Sequence, residues 1–394
     1  KVVLTVIPAS DPTGSTTKTV DLLRDEVKLE EQAATNRIEH VKTSEGAILN
    51  LAVITLPTFY ANMKASSISD DDFKSSSYDV ARILDETKRK NVDGVILDLR
   101  SNGGGSLMEA IKLTGLFIGT GPTVQVKERA LKVLPDLDPN VSYAGPLIVL
   151  VNRLSASASE IVAAALQDYG RAIIVGNSKT HGKGTVQTIL QLGRDQKLGA
   201  IKVTTASYYR INGDSTQLKG VTPDIVIHSP FDSMELGEEF LPNALHLPPV
   251  EPAPDFSPVA DLSSFSPVLR EKSEKRRAED PRFTAYGKLL DRIAHLNKTD
   301  ELPLNLDERR ALAKSERELS QLEAELDPDS EGDGDTVKHD LRHDLILQES
   351  LRILADYVMM ERRQPRRAPA PVASASSAKK SLAQSIAEWL LNRL

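Results

Sequence analysis

The chain has no cysteine among its 394 residues. That absence excludes disulfides, thiolate nucleophiles and cysteine-ligated zinc. It suits a protein of the bacterial envelope. No run of about 18 apolar residues exists, so no transmembrane helix is expected. Positive charge is in deficit: 49 Lys and Arg stand against 56 Asp and Glu, a net charge of −7. A nucleic-acid partner wants a basic face, so the balance speaks against one. No internal repeat of fixed period is present. The opening "KVVLTVIP" is too short and too strand-like for a signal peptide. Lys1 is not a natural start, so the chain reads as a fragment or mature product with any targeting signal upstream. What is present is an ordinary globular balance, 40% hydrophobic and 27% charged. The length suits two or three domains with a real core.

Residues 1–60 carry short β-branched runs between polar turns: "KVVLTVIP", "KTVDLL", "RIEHVKT" and "AILNLAVITLP". Phe73, Val80 and Leu84 then fall at helical spacing. "VDGVILDLRSNGGGSLMEAIKLTGLFI" reads strand, glycine turn, helix, and "GPLIVLVNRLSASASEIVAAALQDYG" repeats that order before the strand "RAIIVG". Strands alternating with helices predict βαβ units around a mostly parallel buried sheet, an α/β core with flanking strands. Residues 183–228 turn back to β patterning, and a proline-rich stretch from Leu247 to Pro258 marks a boundary. Beyond it, apolar stripes predict helices: Leu289, Ile293 and Leu296; Leu312, Leu319, Leu322 and Leu326; Leu347, Leu351, Leu354 and Val358. "DPDSEGDGD" (Asp327–Asp335) is an acidic loop between two of them, and "RRQPRRAPAPVASASSAKK" (Arg362–Lys380) a flexible basic linker. Leu382, Ile386, Trp389, Leu390 and Leu394 mark one face of a final amphipathic helix.

Three features carry chemistry. Ser157 in "SASAS" sits at a strand-to-helix turn, where unpaired N–H groups and the positive end of the helix dipole favour an oxyanion. Serine also serves such turns simply as an N-cap. A serine hydroxyl needs a base to become a nucleophile. His181 is the one histidine in this region and has no acid beside it. Lys183, bracketed by Gly182 and Gly184, is the alternative. A lysine acts as a base only when neutral, so its reference pKa of roughly 10.4 must fall to about 7–8. That shift is about 4 kcal/mol of differential solvation, which a dry apolar pocket supplies. On a strand, Lys183, Thr185 and Gln187 share one face, and Gln187 can hydrogen-bond the amine without adding charge. The plainer reading is a surface lysine on an edge strand. The glycine turn "RSNGGGS" (Arg100–Ser106) lacks the ending of a P-loop and the spacing of a dinucleotide fingerprint. It serves either as a tight turn or as an oxyanion donor through Gly105 or its neighbour Gly104.

The motifs "DLRSNGGG", "VNRLSASASEI", "GKGTVQ" and "GVTPDIVI", in this order, resemble the C-terminal processing, or tail-specific, serine proteases of bacterial periplasm and organelles. The resemblance is strong over residues 1–232, and the helical remainder resembles the extension of the long Gram-negative type. It implies a crotonase/ClpP-like βαβ protease core with a C-terminal helical domain. It further implies Ser157 as nucleophile, Lys183 as general base and Gln187 as the residue that orients it. Gly105 and the Ala158 N–H would form the oxyanion hole. No metal or cofactor is implied. The implied partners are protein or peptide substrates with apolar C-termini, and an adaptor protein; the implied location is the periplasm. The expected organisation is residues 1–12 as the last strand of a truncated PDZ-like domain, 13–232 as protease core and 233–260 as a proline-rich connection. Residues 261–361 follow as a helical domain, 362–380 as linker and 381–394 as a terminal helix. The chain departs from the family at "GNSKTHG", one residue longer than the family pattern. "GKGTVQ" anchors Lys183 as the base, with Lys179 as an outside competitor.

Other features read more plainly. His339 and His343 are one helical turn apart, a spacing that binds metal, but no third ligand follows. Tyr208 and Tyr209 read as packing at a strand end. "RRQPRR" reads as a solvated hinge able to meet acidic lipid or nucleic acid. Two further functions remain beside the protease: a non-catalytic peptide-binding scaffold, and an acyl-thioester enzyme on a crotonase-like fold.

Overall fold

The computed structural model describes residues 1–8, 16–23, 32–61, 74–193, 198–259, 262–297, 305–307, 309–310 and 344–363. The leucine stripe at 312–326, the acidic loop, His339, His343, residues 364–380 of the basic linker, the terminal helix and Phe73 lie outside the described residues; Arg362 and Arg363, expected to open the linker, instead end a helix that runs from Leu345 to Arg363. The chain forms two compact units, Lys1–Ala33 and Ala34–Leu394. In the first, β1 (Val2–Val6) pairs antiparallel with β2 (Lys18–Leu22), and Lys1 meets Asp21 at 2.9 Å.

The second unit is built on a six-stranded sheet. Its strands are β3 (Thr35–Lys42), β4 (Ile48–Thr55), β5 (Gly94–Asp98), β8 (Leu147–Val151), β9 (Ile173–Gly176) and β12 (Ile225–Val226). They lie in the order β12-β9-β8-β5-β4-β3, and only the β3–β4 pair is antiparallel. "GVILD" and "LIVLV" are buried at every residue, as central strands covered on both faces must be. Three helices follow strands as the βαβ pattern predicts: α1 (Ser76–Arg89), α2 (Leu107–Ile118) and α3 (Ala158–Asp168). A four-stranded antiparallel sheet of β10 (Thr185–Gln191), β11 (Ala200–Tyr209), β6 (Gly121–Lys127) and β7 (Leu131–Asp136) stands beside it. The β6–β7 hairpin, "GPTVQVKERALKVLPD", is absent from the sequence reading; its strand character rests on pairing with β11.

The alternation of side chains divides the core. Val95, Leu97, Val149 and Ile174 face a cluster that holds α1–α3 residues such as Leu84, Leu113 and Val162. Ile96, Ile148, Leu150 and Val175 face the opposite cluster. The cover there comes from far along the chain, α4 (Ser266–Glu279) and α6 (Leu345–Arg363), through Leu269, Leu347, Leu351, Leu354 and Val358. Between them runs α5 (Pro281–Asn297). The stripes at Leu289 and at Leu347–Val358 thus lie in helices as expected. A parallel sheet cannot leave one face in water, so the C-terminal helices complete the fold. Leu354 is wholly buried, and a Cβ on Gly94 would lie 3.0 Å from it. Leu354→Ala should lower the unfolding free energy by about 2–5 kcal/mol in chemical denaturation. A loss under about 1 kcal/mol would mean that α6 is not a core element.

Candidate active site

In the sheet, Asp98 of β5 is register partner to Leu150 of β8. The turns that leave these strands therefore lie side by side at the carboxyl edge, where open α/β sheets place their ligands. They are stapled to each other. Leu99 N donates to Leu150 O at 2.8 Å, and Ala156 N and the Ser159 hydroxyl both donate to Asn102 O. The Ser155 hydroxyl donates to Leu99 O at 2.8 Å. Of the three serines in "SASAS", Ser155 and Ser159 are fully buried staples. Ser157, between them, is partly open.

Ser157 is the N-cap of α3, at φ 59° and ψ −114°. A non-glycine residue is held there at a cost on the order of 1–3 kcal/mol, which the surrounding bonds must offset. Against it lies the glycine turn. A Cβ on Gly104, at φ 106°, would come within 2.8 Å of the Ser157 Cβ and 3.1 Å of the Ala158 nitrogen. Only glycine admits that approach. The Gly104 N–H is already bonded to Asn102 Oδ1 at 2.9 Å. The Gly105 and Ala158 N–H groups have no acceptor among the described residues. Of the two glycines left open by the sequence, Gly105 is the one with a donor to spare.

Glu160, unread in the sequence, organises the rest. Its Oε2 accepts the Ser157 N–H at 2.8 Å and the Lys183 N–H at 3.0 Å. Its Oε1 accepts the Thr180 hydroxyl at 2.6 Å and the Gly182 N–H at 2.7 Å. Burial pushes its carboxyl up to about 7, against those four bonds. With two donors on each oxygen, the carboxylate is the form the geometry serves. One carboxylate thus ties the backbone of the serine turn to that of the lysine loop. A sequence signal for it existed: Ser157-x-x-Glu160 is the spacing of a capping box.

The Lys183 carbonyl accepts the Thr216 hydroxyl at 2.9 Å and also the Tyr208 hydroxyl. Tyr208 therefore packs as expected and in addition holds the lysine loop; it also reaches the Ser157 carbonyl at 3.4 Å. The Lys183 amine donates to Gln187 Oε1 at 3.2 Å. Burial lowers its pKa first, and the charge of Lys202 adds to this; Glu238 and Glu160 act in the opposite sense. The amine is not bonded to the Ser157 hydroxyl in this arrangement. Catalytic hydrogen bonds are often absent or long in a resting site and tighten only when substrate is bound. The shared strand face expected for Lys183, Thr185 and Gln187 is not what brings the pair together. Lys183 precedes β10, Thr185 is buried and Gln187 exposed, because the register shifts between Val186 and Gln187.

The competitors are engaged elsewhere. Lys179 Nζ donates to Leu218 O at 2.9 Å and pairs with Glu239 Oε1 at 2.6 Å. His181 does gain an acid, Glu238, at 3.8 Å, supplied by the chain beyond the core. Burial nonetheless lowers its pKa. No cluster of three or more His, Asp or Glu suited to a metal occurs among the described residues.

The chain thus has an α/β core in which a glycine turn faces a strained serine at a helix start, with the lysine loop tied to that serine through Glu160. Residues 50–227 match peptidase family S41, and residues 231–359 match the C-terminal domain of tail specific protease. Through these two adjoining matches the chain is similar to the tail-specific proteases of family S41 over most of its length. It is 35% identical over 377 residues to the tail-specific protease of Haemophilus influenzae, covering 91% of this chain and 51% of that protein. It is 43% identical over 162 residues to the carboxy-terminal-processing protease of Bartonella bacilliformis, covering 40% of this chain and 36% of that one. The structure of the photosystem II D1 C-terminal processing protease aligns at 27% identity and TM-score 0.43, covering 55% of this chain and 53% of that chain. The chain thus spans about half the length, or less, of the relatives it matches.

Proposed function

We propose that the chain is a serine endopeptidase working through a Ser157/Lys183 dyad. Ser157 Oγ attacks the scissile carbonyl while neutral Lys183 takes the hydroxyl proton. Gln187 holds the amine and aims its lone pair. The oxyanion of the tetrahedral intermediate is met by the Gly105 and Ala158 N–H groups. The C–N bond then breaks as the Lys183 ammonium returns its proton to the leaving amine. Water, deprotonated by the same lysine, hydrolyses the acyl-enzyme and frees Ser157. The observation that carries this reading is the pair of N–H groups, from Ser157 and Lys183, on one oxygen of Glu160.

The substrates we propose are unfolded proteins with apolar C-termini, with an adaptor as a further partner. The N-terminal strand as remnant of a PDZ-like domain and a periplasmic location belong to the same proposal. Among the described residues no helix is long and apolar enough to cross a membrane. The test is cleavage of an unfolded protein ending in apolar residues, with fluorophosphonate labelling in parallel. The wild-type chain should cut it and be labelled. Ser157→Ala should lose cutting by at least about 10³-fold and lose the label. Cutting by Ser157→Ala at the wild-type rate would sink the reading, and turnover of an acyl-CoA without proteolysis would replace it.

A further inference from the structure

The glycine turn begins at Arg100, and Arg100 is gripped from two directions. Its Nε and Nη2 bond both oxygens of Asp98, at 2.7–3.1 Å. Its Nη1 and Nη2 also bond Oδ1 and Oδ2 of Asp344, at 3.1 and 2.7 Å. Burial opposes the guanidinium charge, and the two carboxylates outweigh it. One carboxylate already neutralises Arg100, and Asp98 is the sequence-local one. The second adds direction, because a two-pronged contact fixes the plane of the guanidinium.

Asp344 is itself fixed. Its Oδ1 accepts the Leu347 N–H at 2.9 Å and its carbonyl the Gln348 N–H at 2.9 Å, so it caps α6. That helix is anchored in the core through Leu347, Leu351 and Leu354. From Arg100 the constraint continues along the turn. Ser101, at φ 57°, donates its N–H to Asn152 Oδ1 at 2.8 Å. Asn102 holds the Gly104 N–H and, through its carbonyl, the serine turn.

We infer that Asp344 is a positioning residue for the oxyanion turn, through which the C-terminal helical layer sets where the Gly105 N–H points. The inference rests on the proposed role of Gly105 in a serine protease. It makes the layer part of the catalytic apparatus as well as the cover of the sheet.

Asp344→Asn is a clean probe. Asparagine caps a helix as well as aspartate does, and Arg100 keeps Asp98, so the fold stays while the charged two-pronged contact goes. In the full chain, kcat for an unfolded substrate should fall about tenfold with KM within about twofold, since a contact serving the transition state has been weakened. Affinity for a peptide boronate, which forms a tetrahedral adduct on serine, should fall by the same factor. Amide hydrogen exchange at residues 101–106 should quicken while that of α6 stays unchanged. Arg100→Lys, which keeps charge but not the fork, should behave alike. Unchanged kcat, or exchange that quickens across α6 as much as in the turn, overturns the inference in favour of a plain helix cap. If the wild-type chain neither cleaves nor binds the boronate, the protease reading has failed. The exchange of residues 101–106 then decides the inference alone, and no change there overturns it.

Discussion

Arginine at position 183 abolishes hydrolysis: Lys183→Arg should lose at least about 10³-fold in kcat/KM, because a guanidinium cannot shed its proton to act as a base. The wild-type rate should rise with pH and level off above the lowered pKa of Lys183, since the neutral amine is the working form. No limb is expected from a histidine, so His181→Asn should leave the profile in place. Stability follows with a definite sign. Between the lowered folded pKa and the ordinary lysine value, the unfolded chain binds the proton and the folded chain does not. Stability therefore rises with pH across that window. The measurements are pH profiles of kcat/KM for the wild type and both variants. An active arginine variant would remove Lys183 from the chemistry.

Glu160→Gln should also be costly, although Glu160 touches no reacting atom. An amide offers one acceptor oxygen and one NH2 where four donors now converge. Whichever way it turns, two donors lose their acceptor and face another donor. A stability loss of about 1–3 kcal/mol is expected, with kcat falling about a hundredfold as serine turn and lysine loop part. A second readout separates position from stability. The folded carboxyl titrates at about 7 against an ordinary 4.5, so the folded state binds the extra proton and stability falls as pH rises from 4.5 to about 7. Chemical denaturation across that range should show a shallower slope in the variant than in the wild type; the raised carboxyl of Asp136 keeps its own contribution in both. A variant with wild-type kcat would mean that the two loops are held together without Glu160.

The core was legible because its strands are unbroken apolar runs, "GVILD" and "LIVLV", each followed by a small-residue turn and a helix. Those runs admit burial on both faces and little else. The β6–β7 hairpin escaped notice because its strand character depends on pairing with β11, and pairing is not periodic along the chain. The candidate site was legible where chemistry is written in residue type: a serine at a helix start, a lysine between glycines, glycines after a strand. It was not legible where the job is done by distance. Glu160 looks like a helix residue until its oxygens are seen to reach Thr180, Gly182 and Lys183. Arg100 looks like a turn residue until Asp344, 244 positions away, closes on it.

The sequence by itself determined the class of fold, the alternation of strands and helices in its βαβ core, the family resemblance and the residue types able to run acyl transfer without thiol chemistry. Periodicity, glycine placement and composition are local properties, and a linear chain displays them. Only the tertiary structure decided which of the three serines stands open, which of the two glycines has an N–H without an acceptor among the described residues, and that Lys179 is held by Glu239 while Lys183 is partly desolvated. It also decided that the C-terminal helices cover the second face of the sheet and reach back to the glycine turn. Those outcomes depend on burial and on hydrogen bonds between residues distant in the chain, and both quantities come into being only when the chain is folded.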